Sequence, residues 1–304
     1  VRKVASDLGI AYAEKHLPTM LVEDFGILFP DAAGKPTTDS TTLSYRLPDW
    51  FPDASNPNTP PHGILCFDDR NQASPDLQKV LANIIQSRTL HGRALPPGWF
   101  IVSTGNRQSD RAGANRVLSH LRNRETVLEL ETHVLDWTAW AVEHDVHPVV
   151  VSFVQFRTGL LHDFDANRDA NPTPRSWVEG VSPMVGTVPA EAEFEVFKGA
   201  VGEGAAAEFT GYLRIYRNLP DPHAILLNPD SAQVPSDPAT LYALAGSLAD
   251  FATQSNFDRV CTYLARLPGE FSVLCVSLAL RRKPDLAQTP AFVQWSTKNV
   301  SLLF

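Results

Sequence analysis

Four consecutive apolar residues, Ile64-Leu65-Cys66-Phe67, stand between Gly63 and the acids Asp68-Asp69. Such a run predicts a strand buried on both faces, as in a parallel sheet covered by helices. Residues 99–104 form a second apolar, β-branched run that ends in Gly105-Asn106, and residues 126–130 predict a third short strand. Between the first two, Ser74-Pro75-Asp76 supplies a helix cap, a proline at the first helical position and an early acid. Leu77, Val80, Leu81, Ile84 and Ile85 then share one helical face. Upstream, Val1, Val4, Ala5 and Leu8 have helical spacing before Gly9, a candidate C-cap, and residues 11–16 read as a weak strand. Strand alternating with helix in this way is the pattern of an α/β protein with a doubly wound parallel sheet.

Strand signals fade after His133. Helices are predicted over residues 136–143, 148–162, 191–198 and 203–218, although Val149, Val150 and Val151 leave the second open to a β reading. Thr173-Pro174 marks another helix start. Residues 220–238 read as a proline-rich linker. Beyond it lie three apolar stripes: Leu241, Leu244, Leu248 and Phe251; Phe257, Val260 and Leu264; and Phe271, Leu274 and Leu278. Stripes at helical spacing read as core. The expected organisation is an α/β core over residues 1–131, an all-helical part over 132–219 and a C-terminal helical extension over 220–304. Residues 17–61 form a long irregular stretch, in which Trp50 and Phe51 either pin a surface loop or face a substrate or partner.

Composition narrows the classes. The chain has 304 residues, of which 43% are hydrophobic and 20% charged, ordinary for a soluble globular protein. A net charge of −8 argues against a general binder of nucleic-acid backbones. Cys66, Cys261 and Cys275 lie in apolar settings without zinc spacing, which predicts buried free thiols in a reducing cytoplasm. No apolar run approaches the ~18 residues of a membrane helix, and no signal peptide is visible. The chain opens at Val1 inside a predicted helix, so further residues are expected upstream.

The chemistry concentrates at strand ends. Asp68 and Asp69 follow the buried strand, where open α/β sheets bind ligands. Paired acids there suit a magnesium ion and an attacking water beside a nucleotide phosphate, or else form a solvated acidic turn. Asn106 follows the next strand. Residues 107–124 are strongly basic, with Arg107, Arg111, Arg116, Arg122 and Arg124, and read as a solvated face or as ion-pair partners. Arg175 falls in a first helical turn, where the helix dipole and the guanidinium together favour an anion; packing on Trp177 is the other reading.

In this order the acid pair, the amide, the arginine before the third strand and the later arginine resemble the AAA+ ATPases, specifically MoxR-like members of the kind found in phages and prophages. The segments VGEGAAAEF and RIYRNLPDP also look like the phage-type members. The resemblance implies an AAA+ P-loop core followed by a helical lid, with ATP and Mg²⁺ as ligands. It makes GILCFDD a Walker B motif, with Asp68 holding the magnesium and Asp69 orienting the attacking water. Asn106 matches sensor 1, Arg124 the arginine finger given across a subunit boundary (Arg122 is the alternative), and Arg175 sensor 2. LVEDFGILFP resembles the loop after the family's second strand. A hexameric ring is implied, acting on a protein client, in this branch often one with a von Willebrand A-type domain.

The chain departs from the family twice. It contains no G-x-x-x-x-G-K-[ST] motif; Gly34-Lys35 is followed by Pro36 in an irregular stretch. A Walker A loop is therefore expected upstream of Val1. Asp69 also stands where the family usually has Glu, one methylene longer. Two rival expectations follow: a weakly hydrolysing or non-hydrolysing, nucleotide-gated scaffold, and a nucleic-acid motor or loader supported only by the basic run.

Overall fold

The computed structural model describes residues 1–30, 43–106 and 125–300. The chain divides into two compact units, Val1–Glu129 and Leu130–Phe304. Arg107, Arg111, Arg116, Arg122, Arg124 and Gly34-Lys35 lie outside the described residues.

The first unit is α/β. Helix α1 (Arg2–Asp7) leads into β1 (Ala11–His16), and Gly9 turns the chain between them in the left-handed region (φ 64°). An antiparallel pair, β2 (Ile27–Pro30) and β3 (Leu43–Arg46), precedes β4 (His62–Asp68). Helix α2 (Pro75–Ser87), the short pair β5 (Thr89–Leu90) and β6 (Arg93–Ala94), and β7 (Gly98–Ser103) follow. Strands β1, β4 and β7 form a three-stranded parallel sheet in that order. The central position belongs to β4, whose residues 63–67 are all buried, as the unbroken apolar run requires.

Helix α2 begins as its sequence signals predict. Ser74 accepts a hydrogen bond from the Leu77 amide at 3.3 Å, and Pro75 occupies the first turn. Its apolar face buries Leu77, Leu81 and Ile84 in a core shared with Leu65, Phe67 and Trp99.

The expected strand over residues 126–130 does not form. The segment has no ladder partner among the described residues, and Leu128 and Leu130 are 79% and 89% exposed. An apolar run without a strand to pair with keeps its backbone groups in water. The third parallel strand is instead the weak-looking β1, which gains its ladder from β4.

The second unit is helical. Its elements are α3 (Val134–Glu143), α4 (Pro148–Phe156), α5 (Glu193–Val201), α6 (Glu203–Arg217), α7 (Pro222–Leu227), α8 (Pro238–Phe251), α9 (Phe257–Leu264), α10 (Gly269–Arg282) and α11 (Pro290–Lys298). Burial decides the ambiguous valine run: Val149, Val150 and Val151 are all inside α4, so packing overrides their β preference. That helix stops at Phe156 and gives way to a tighter turn, Thr158–Leu161, instead of continuing to residue 162. The supposed linker also contains a helix. Asp221 caps α7 by accepting from the His223 amide at 2.9 Å, and Ile225 and Leu226 enter the core.

One hydrophobic core runs from Trp137 to Trp295 without a break near residues 219–220. Helix α8 is its axis, packed by α4 and α10. The approach of α4 to α8 is close at Gly246, where an added Cβ would stand 3.0 Å from the Ser152 Cβ. Trp177 is fully buried, donates to the Leu160 carbonyl at 2.7 Å and packs with Phe153 and Phe209.

Leu81→Ala is expected to lower unfolding stability by about 2–5 kcal/mol, because it opens a cavity in the first core. Leu128→Ala should change it by no more than about 0.5 kcal/mol. Urea melts of both variants check this; a large cost at Leu128 would restore the third-strand reading.

Candidate active site at the ends of the parallel strands

Parallel register brings the site together. His16 lies opposite Asp68, the last residues of β1 and β4. Phe67 lies opposite Ser103, so Thr104 follows β7 at the level of the acid pair. The Thr104 amide donates to the Phe67 carbonyl at 3.0 Å. Its hydroxyl donates to Asp68 Oδ1 and accepts from the Asp69 amide at 3.2 Å. Its carbonyl accepts from the Arg70 amide at 3.0 Å. One threonine thus ties the end of β7 to three successive residues beyond the core of β4.

Asp69 turns the chain sharply, with φ 50° and ψ 41°. Aspartate tolerates this left-handed conformation better than most residues. A single tight turn, Arg70–Gln72, follows. Within it Asn71 is buried, and its carboxamide grips the backbone of Asn106. Oδ1 accepts from the Asn106 amide at 3.2 Å, and Nδ2 donates to the Asn106 carbonyl. Gly105 makes this grip possible: a Cβ there would stand 2.7 Å from Asn71 Oδ1. The backbone of Asn106 is therefore held beside the acid turn while the residue itself is exposed.

Arg70 forms an ion pair with Glu125, their side chains only 13% and 16% exposed. The other Glu125 oxygen, Oε1, is buried and has no hydrogen-bond partner among the described residues. The pair joins the turn after Asp69 to the start of the segment leading out of the unit.

Asp68 and Asp69 remain open to solvent, with side chains 36% and 30% exposed. His16 Nδ1 lies 3.5 Å from Asp68 Oδ2 and 3.8 Å from Asp69 Oδ2. Accessible carboxylate oxygens at strand ends fit Mg²⁺, a hard cation that takes oxygen ligands and keeps several waters. An open cleft of about 580 Å³ adjoins the acids through His16 and is lined also by Glu14, Glu23, Asp24, Arg46 and Trp50. Trp50 braces one side of it, donating to the Asp24 carbonyl at 3.3 Å and meeting Phe25 and Phe67 edge-on. Phe51 is buried, so this aromatic pair pins the irregular stretch to β4.

The cysteines offer no nucleophile. All three are free thiols; burial pushes Cys66 and Cys275 up, and Cys261 up to about 12.

Of the residues singled out from sequence, Asp68, Asp69 and Asn106 meet at one edge of the sheet. Arg175 belongs to the second unit, where it is exposed in the first turn of a helix that Thr173 starts, its hydroxyl accepting from the Ser176 amide at 3.1 Å. Arg124 lies outside the described residues. Sequence reading missed His16, Thr104 and Asn71. Their signal is positional: each ends a strand or lies within a few residues of one, and only the register reveals that they meet. In comparisons with known proteins, the chain matches no family model and no curated sequence.

Arg70→Met alone should cost about 3–5 kcal/mol, because it strands the buried Glu125 carboxylate. The double change Arg70→Met, Glu125→Leu should recover most of that loss. Urea unfolding of the two variants measures the difference, and additive losses would contradict the pairing.

Proposed function

We propose that this chain is a MoxR-like AAA+ ATPase that hydrolyses ATP at the subunit interfaces of a ring to remodel or assemble a protein partner. The observation that carries the reading is the junction of β4 and β7. There, two adjacent acids and the Asn106 backbone are locked side by side by Thr104 and Asn71. Phosphoryl transfer to water needs positioned groups and charge neutralisation more than covalent chemistry. A rigid acid–amide edge at the carboxyl ends of parallel strands supplies that positioning.

In this reading Asp68, held by the Thr104 hydroxyl, holds Mg²⁺, which when bound neutralises charge on the phosphates. Asp69 orients the attacking water and accepts its proton. Asn106 fixes the water or senses the terminal phosphate. Arg175, exposed at a helix start, is the sensor 2 residue by its resemblance to the family and favours an anion there. Arg124, by its resemblance to the arginine finger, acts on the neighbouring subunit's nucleotide, so hydrolysis depends on assembly, in a hexameric ring. The reading needs a phosphate-binding loop, and residues 1–304 contain no such motif. Cytoplasmic action suits the free thiols. Among the described residues no helix is long and apolar enough to cross a membrane.

Steady-state ATP hydrolysis by the full-length protein tests this. Asp69→Asn should lower magnesium-dependent turnover about 10²–10⁴-fold. Arg124→Ala should lower it about 10³–10⁵-fold, with nucleotide still bound. Turnover unchanged in Arg124→Ala contradicts donation across the interface, and a full-length protein without magnesium-dependent turnover contradicts the ATPase assignment.

A further inference from the structure

His16 has no part in the proposed ATPase, yet its ring faces both acids. One ligand atom from each of His16, Asp68 and Asp69 falls within 4.8 Å of the others. The imidazole Nδ1 is 3.5 Å from one carboxylate oxygen and 3.8 Å from the other. A divalent ion with ligand arms of about 2.0–2.2 Å holds neighbouring ligand atoms roughly 3–3.5 Å apart. With the three atoms within 4.8 Å of one another, closing the side chains onto an ion needs movements of up to about 1–2 Å, which rotamer adjustment of exposed side chains supplies.

The arrangement is built into the fold. His16 and Asp68 are register partners on adjacent parallel strands, so their spacing is set by the β1–β4 ladder. The Thr104 hydroxyl fixes one oxygen of Asp68 and leaves the other toward His16. The left-handed backbone at Asp69 begins the turn that keeps the second acid beside the first. Among the described residues, no lysine or arginine pairs with either carboxylate; His16 is their sole ion-pair partner. Among the described residues, the two adjacent carboxylates thus face an imidazole and no lysine or arginine, an arrangement that suits a bound cation.

We propose that His16, Asp68 and Asp69 bind a divalent transition-metal ion directly, in the absence of nucleotide. Two carboxylate oxygens alone suit magnesium. Adding an imidazole nitrogen moves the preference toward Co²⁺, Zn²⁺ and Mn²⁺, and three protein ligands leave coordination positions open to water. The site shares Asp68 and Asp69 with the proposed ATPase but does not need ATP, so the two readings stand or fall separately.

Titration of the nucleotide-free, full-length protein with Co²⁺ tests this, followed by visible absorption and by calorimetry. Saturable binding of one ion per chain is expected. His16→Ala should weaken it by about tenfold or more, while Mg²⁺ binding changes by less than about twofold. The His16 side chain is 48% exposed, so its removal leaves the core intact, which far-UV circular dichroism verifies. His62→Ala, at the opposite end of β4, serves as the control for adventitious histidine binding and should leave Co²⁺ affinity unchanged. Absence of saturable Co²⁺ binding, or equal losses in His16→Ala and His62→Ala, would overturn the proposal.

Discussion

Thr104 carries the arrangement of the whole candidate site. Its amide, hydroxyl and carbonyl engage Phe67, Asp68, Asp69 and Arg70 in turn. Those bonds extend the β4–β7 ladder one step past the strands proper, into the turn where the chemistry lies. A backbone turning through a left-handed aspartate has little local reason to hold one geometry. The threonine supplies that reason, and Asn71 repeats the device one turn later by clamping Asn106. The acid turn and the backbone of Asn106 are consequently tied along one edge.

That edge rests on a conventional core. Leu65 and Phe67 point into it from β4, and Leu77, Leu81 and Ile84 meet them from α2. The alternation of the central strand therefore delivers Asp68 to the sheet's carboxyl end at a height fixed by buried packing. Arg70 and Glu125 secure the far side of the turn in a largely buried ion pair. Buried pairs of this kind add little net stability, but removing one partner is costly. Their contribution is to hold the segment after the turn in one place.

The parts of the fold that depend on local chemistry were legible in the sequence. The apolar run of β4, the Ser74 cap, the Gly9 turn and the three C-terminal stripes all form as their patterns predict. Asp221-Pro222 carries the same cap signal as Ser74-Pro75, but the surrounding prolines masked it. The strand expected at residues 11–16 formed and the one expected at 126–130 did not, for one reason. Residues 126–130 and 11–16 are both short and weakly patterned, and pairing alone makes the second a strand. Contacts such as His16 to Asp68, or Thr104 to Asp69, depend on strand register. Period-2 alternation gives the face a residue takes, not the neighbour it meets across the ladder.

The central claim is that the locked edge of β4 and β7 hydrolyses ATP, and Thr104→Val tests it most directly. Valine keeps the shape of threonine and removes only the hydroxyl that joins Asp68 to Asp69. The decisive measurement is the steady-state kcat for magnesium-dependent ATP hydrolysis by the full-length protein. The account predicts a kcat lower by about 10–100-fold, the usual effect of losing a partner that orients a metal-binding carboxylate, with unfolding stability largely retained. A kcat equal to that of the unaltered protein would contradict it.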